Sequence, residues 1–227
     1  MAGVLIALAG DRFVQGLEDE ALETAYLGRL LTEFEGAHGA LSGAALWAEQ
    51  RQQSAETFLQ VASGHASDSL STREIVLAMA LSYWVFDPEV PRETWDDLVA
   101  TGRMSLIESE SLRTSISTFY GRIAQQSEFH GDWLVDVRPY QREVTRILSP
   151  QLQLGVAQYR IDGVPIPEEL LPDRDALIAS IRNRPELTET VGEALVTGWA
   201  GVRQYRALAE QAEGIAAQIR LELESDS

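Results

Sequence analysis

The sequence predicts an all-α protein, an antiparallel bundle of long helices with short accessory helices. Three observations predict it. Apolar residues recur at alternating four- and three-residue spacing over stretches far longer than any strand. Short apolar runs are preceded by residue pairs that cap helix starts. Only one stretch, 151–167, leans toward extended structure.

The first long helix follows Leu27, Leu31, Phe34, His38, Leu41, Ala45, Ala48, Gln52, Ala55, Leu59 and Ala62. Gly36, Gly39 and Gly43 weaken it by about 1 kcal/mol each against Ala and mark a bend or a close crossing. After a loop at 64–70, Ser71 and Glu74 form a capping pair that opens a short helix to about Phe86. Asp87-Pro88 and Pro91 end it. Thr94 with Asp97 is a second capping pair, and Gly102 is a C-terminal stop. The next long helix starts near Ser109 and follows Leu112, Ile116, Phe119, Ile123, Gln126, His130, Trp133, Val137, Tyr140, Val144 and Ile147. Pro139 is expected to kink or split it.

Gln151–Leu154 and Gln158–Ile161 alternate in polarity, and Asp162-Gly163 is a two-residue turn signal, so a small β-hairpin is expected at 151–167. Asp173 opens a short helix ending near Arg184-Pro185. The last helix runs from Glu186 to Glu224 along Val191, Leu195, Gly198, Val202, Tyr205, Ala209, Ala212, Ala216, Ile219 and Leu223. Small residues on these seams (Ala45, Ala48, Gly198, Ala209, Ala212, Ala216) imply close helix approach. Residues 14–227 are read as a single bundle domain.

The 227 residues carry a formal net charge of -17, which excludes a general nucleic-acid binder, since neutralising phosphates needs clustered positive charge. Every basic residue is Arg and there is no Cys, so Schiff-base lysines, P-loop lysines, disulfides and thiol nucleophiles are excluded together.

Residues 2–10 form an uncharged run, closed by Asp11-Arg12 and containing Val4, Leu5, Ile6 and Leu8. It covers about half of a bilayer core. Gly3-Val-Leu-Ile-Ala-Leu-Ala-Gly-Asp11-Arg-Phe13 resembles the end of the membrane segment of an uncharacterised family of small bacterial inner-membrane proteins, read there as G-[IV]-L-I-A-L. A second block, Thr94-Trp95-Asp96-Asp97-Leu98 with Thr101-Gly102-Arg103-Met104, is similar to that family's T-[YW]-x-E-L-x-x-[ST]-G. Leu112-Arg113 and Phe119-Tyr120 extend the likeness over roughly the first half of the chain. The apolar run is shorter than the family's, and Phe13 stands where the family has Trp. The resemblance implies an N-terminal membrane anchor ending at 1–13, contact with membrane lipid, and a soluble part in the periplasm. It implies no chemistry.

Glu35-Gly-Ala-His38 has the Glu-x-x-His spacing of di-iron bundles, but His65 and His130 lack the second pair such a site needs. His38 and His130 each fall on a seam, as do Gln52 and Gln126, so with Glu35 these form a candidate polar core layer or ligand contact. A register-fixing layer is the plainer reading; a pH-sensitive or ligand-binding layer is the sharper one. The five tryptophans lie on or beside apolar faces, mostly as core. Trp84, Phe86 and Trp95 flank the proline-broken junction as a candidate partner anchor. No metal or cofactor is expected and no catalytic motif is recognised. The expected function is a non-enzymatic, membrane-tethered helical domain acting through contacts with another membrane protein or itself. An accessory or scaffolding subunit of a respiratory or photosynthetic inner-membrane complex would be an example. The alternatives are a periplasmic sensor or small-ligand-binding bundle and a metal-dependent enzyme whose site is not visible in the sequence.

Overall fold

In the computed structural model the chain folds as α1 (Ala2–Ala62), α2 (Thr72–Leu81), α3 (Glu93–Thr101), α4 (Glu110–Ile147), α5 (Pro150–Asp162), α6 (Arg174–Arg182) and α7 (Pro185–Ser225). Short 3-10 turns lie at Arg103–Leu106 and Glu168–Leu170. The structure describes residues 2–65 and 69–225, with side chains from residue 18 onward. There is no strand among the described residues, so the fold is all-α.

Local signals account for most helix ends. Ser71 accepts from the Glu74 backbone and Glu74 reaches back to the Ser71 backbone, a complete capping box for α2. Asp173 caps α6 through the Ala176 N–H. Gly102 ends α3 at φ 68°, a left-handed conformation that glycine adopts without steric cost.

Three expectations are corrected. The hairpin at 151–167 is instead helix α5. Ser149 caps its start through the Leu152 N–H, Pro150 sits in its first turn, and Gly163 closes it at φ 69°. Leu152, Gly155 and Val156 are buried at helical spacing, which overrides the period-two pattern and leaves Leu154 and Ile161 facing water. Thr94 does not cap α3; it is buried within the first turn, and Arg92 at the N-cap turns its guanidinium to the Asp96 carboxylate at 2.8 Å and makes no side-chain capping bond. Pro139 does not split α4, which runs through it; the proline lies on the exposed side, where water can serve the carbonyl it leaves without a donor.

The contacts gather into two compact units where a single bundle over 14–227 is expected. Unit 1 holds residues up to 42, 88–125 and 206 onward; unit 2 holds 43–87 and 126–205. Within unit 1, α1 and α4 run in the same sense. Glu108 N–H donates to the Glu23 carboxylate at 2.6 Å, and further along Phe34 meets Phe119 edge-on at 5.1 Å. α7 joins them through His38 Nδ1, 3.1 Å from the Ala209 carbonyl. Leu30, Phe34, Leu98, Leu112, Ile116 and Phe119 are buried in this unit.

Within unit 2 the buried core includes Phe58, Ile75, Met79, Tyr140, Val144, Leu152, Leu177 and Leu187. Tyr140 is fully buried and its phenol donates to the Met79 carbonyl at 3.0 Å. α7 runs antiparallel to α1 here. A Cβ on Gly198 would stand 3.3 Å from the Gln52 backbone, and one on Gly201 would stand 3.3 Å from Ala48 Cβ. This is the close approach that the small seam residues imply, and it needs glycine at position 198.

Candidate functional site

The buried polar residues include one carboxylic acid and one guanidinium, Glu33 in unit 1 and Arg51 in unit 2. Both come from α1, and neither stands on the seam expected from the sequence.

In unit 1, Glu33 is 6% exposed. Its carboxylate accepts from the Thr94 backbone N–H in the first turn of α3 and from the Tyr120 phenol at 3.2 Å. Since α3 has no cap of its own, Glu33 supplies the anion that a helix N-terminus favours. Tyr120 also lies 3.1 Å from the Pro91 carbonyl, and Trp95 stacks on its ring at 5.0 Å. Burial, reinforced by the Glu33 charge, holds the Tyr120 phenol well above its ordinary range.

In unit 2, Arg51 is 4% exposed. Its Nε donates to the Ser82 carbonyl at 3.1 Å and one Nη donates to the Thr197 hydroxyl. Thr197 in turn donates to the Glu193 carbonyl at 2.8 Å. Ser82 is the C-cap of α2, so the cation sits where a helix dipole favours positive charge. Burial still lowers the Arg51 guanidinium to about 10. Arg51 borders a cavity of about 10 Å³, room for roughly one water molecule, whose wall includes Trp47, Trp84, Trp133, Thr197 and Tyr205. Outside this wall the Arg160 guanidinium lies 3.7 Å from the Trp84 ring centre and 4.8 Å from that of Trp47. Tyr205 donates to the Phe86 carbonyl at 3.3 Å, and burial pushes its phenol up to about 12.

The residues singled out from the sequence do not form one site. Glu35 pairs with Arg220 at 2.6 Å near the surface of unit 1, and His38 is bound to the Ala209 carbonyl. Gln52 turns outward to Glu56 at 2.9 Å, and what it contributes to the interior is backbone, packed under Gly198. Gln126 and His130 lie one turn apart on α4 in unit 2, both buried, and neither Gln126 Nε2 nor His130 Nδ1 has a hydrogen-bond partner. Trp84 and Trp95 belong to different units and each is stacked intramolecularly, whereas Phe86 is exposed. Trp133 is core as expected, but Trp199 is half in water. The side chains of Val4, Leu5, Ile6 and Leu8 lie outside the described residues. Among the described residues no helix is long and apolar enough to cross a membrane, and no group of three or more His, Asp and Glu could hold a metal ion.

Arg51 was missed because the seam of α1 is shifted by one residue at every second step. Leu30, Ala37, Arg51 and Phe58 are buried where Leu31, His38, Gln52 and Leu59 are expected, and Ala44 is buried beside the expected Ala45. The signal was present, since Leu30, Ala37, Arg51 and Phe58 include a single polar residue and Leu31, His38, Gln52 and Leu59 include two.

Compared with known proteins, the chain matches no family model, no curated sequence and no solved structure.

Proposed function

We propose that this chain is a non-enzymatic helical domain that works through protein contacts, tethered to a bacterial inner membrane by its N-terminal segment as an accessory or scaffolding subunit of a larger complex. The observation that carries the reading is a water-facing row on α7 within unit 2, Val196, Trp199 and Arg203. Trp199 is 53% exposed, and the Arg203 guanidinium lies 5.1 Å from its ring centre. Trp and Arg dominate binding energy where a partner removes them from water, and an uncovered indole forgoes the gain of burial. Leu154 and Ile161, two turns apart on α5, are left facing water in the same unit. The likeness of the N-terminal run and of the 94–104 block to small inner-membrane proteins supports the placement.

The test is a photo-reactive residue at position 199 in native membranes, with the exposed position 186 on another face of the same helix as control. A discrete adduct from 199 alone is expected. Identical patterns from both positions, or a full-length protein that stays monomeric without adducts, would overturn the reading. For the tether, the full chain should sediment with membranes and a chain starting at residue 14 should not.

A further inference from the structure

Within unit 2 the inner face of α7 is buried along Val191, Ala194, Val202 and Tyr205. The outer face carries a second row, Glu189, Gly192, Val196, Trp199 and Arg203, whose spacing alternates between three and four residues. That alternation is what a helix needs to pack lengthwise against another helix. Among the described residues nothing covers this row. Val196 is 61% exposed, Glu189 and Arg203 face water, and a Cβ on Gly192 would meet nothing within 4 Å.

The charges at the two ends of the row are unanswered as well. Among the described residues neither Glu189 nor Arg203 has an oppositely charged side chain within ion-pairing distance. Arg203 lies instead over the Trp199 ring. The row therefore reads, from its N-terminal end, acid, gap, aliphatic, aromatic, base.

We propose that this row is the interface of a two-fold dimer, in which α7 packs antiparallel against α7 of a second copy. The inference rests on the protein-contact reading above and names its partner. With the axis between residues 197 and 198, Val196 faces Trp199 of the second copy and Gly192 faces its Arg203. Gly192, having no side chain, leaves room for the Arg203 stem to run across to Glu189, one turn away on the same helix. A two-fold axis repeats every contact, so the row complements itself, with an aliphatic–aromatic pair on each side of the axis and an arginine–glutamate pair at each end. A parallel pair would set Arg203 on Arg203 and Glu189 on Glu189, which like charges oppose. The net charge of -17 on each copy resists approach at long range, so the pairing depends on close contact. About four turns of helix are involved, and micromolar association is expected from so short a contact.

The chain has no cysteine, so single introduced thiols report the pairing without background. In detergent-solubilised full-length protein, a mixture of Gly192→Cys and Arg203→Cys chains should form a disulfide on mild oxidation. Neither variant should do so alone, since equivalent positions then stand roughly 16 Å apart along the helix, beyond disulfide reach. In analytical ultracentrifugation, Glu189→Arg and Arg203→Glu should each weaken dimerisation by about tenfold or more, and the two combined should restore it. No disulfide in the mixture, disulfides in either variant alone, or no restoration by the combined swap overturns the proposal. A photo-adduct from position 199 to a different protein and none to a second copy overturns it too, yet leaves the protein-contact reading standing. Absence of any adduct removes both.

Discussion

Each unit buries one charge from α1 against the end of a short helix, and the two arrangements are completed to different degrees. In unit 1 the Glu33 carboxylate faces the N-terminus of α3 and takes hydrogens from a backbone N–H and a phenol, so the anion and its donors are matched. In unit 2 the Arg51 guanidinium faces the C-terminus of α2 and finds a carbonyl and a hydroxyl, with donors left over. Helix ends solvate both signs, but the two cases differ in stoichiometry. A carboxylate satisfied by fixed donors is structural. A guanidinium with spare donors and no carboxylate partner is less fully compensated.

The largest expected effect follows from that difference. Glu33→Ala uncaps α3 and leaves the Tyr120 phenol only the Pro91 carbonyl as acceptor, and should cost about 2–3 kcal/mol in urea unfolding followed by circular dichroism. Arg51→Met removes a poorly compensated buried cation and should change stability by no more than about 1 kcal/mol. Equal losses in the two variants would show that the contrast between the units is wrong.

Next in size is a pair of glycines. A Cβ at Gly198 would press on the Gln52 backbone at 3.3 Å, and backbone cannot yield cheaply, so Gly198→Ala should cost about 1–3 kcal/mol. In unit 1 a Cβ at Gly36 would meet only the Pro91 ring at 3.2 Å. There the gain in helix propensity, up to about 1 kcal/mol, offsets the displacement. Gly36→Ala should therefore lie within about 0.5 kcal/mol of the parent by the same measurement, given these opposing terms.

The smallest effect concerns alkaline pH. Tyr120 is held above its ordinary value of 10 in the folded state. Its contribution is intact below pH 10 and is lost as pH climbs toward the folded value. Tyr120→Phe should start about 1 kcal/mol less stable at pH 8 and lose less on going to pH 11. In unit 2 the Arg51 shift has the opposite sign. The unfolded chain holds that proton more tightly than the folded one above about pH 10, so stability gains there as pH rises and offsets the loss from Tyr205. Unfolding midpoints at a series of pH values would show whether Arg51→Met steepens the alkaline decline.

Much of the fold was legible in the residues themselves. The seam of α4 is buried as read at Leu112, Ile116, Phe119, Trp133, Val137, Tyr140 and Val144, because that helix offers a single apolar register. The seam of α1 was ambiguous, since both alternatives at every second step are mainly Leu and Ala. Tertiary packing chose the one that carries Arg51 inward. The alternation at Gln151–Leu154 misled for a related reason: Ser149, Pro150 and Gly163 set helix ends, and end signals prevailed over the side-chain pattern. The candidate site was the least legible part. A buried charge bound by a carbonyl and a hydroxyl leaves no charged partner in the sequence to point to it, and Ser82, Thr197 and the three tryptophans come from four different stretches of chain.

Pro139 has a consequence for motion. Lacking an N–H, it leaves the Val135 carbonyl without its intrahelical donor, on a stretch of α4 where Val135 itself is 57% exposed. Breathing of a long helix starts where its ladder has a missing rung. In deuterated buffer, the amides around 135–139 should therefore exchange earlier than those on either side, opening a short window in α4 while Trp133 and Tyr140 remain anchored in the interior.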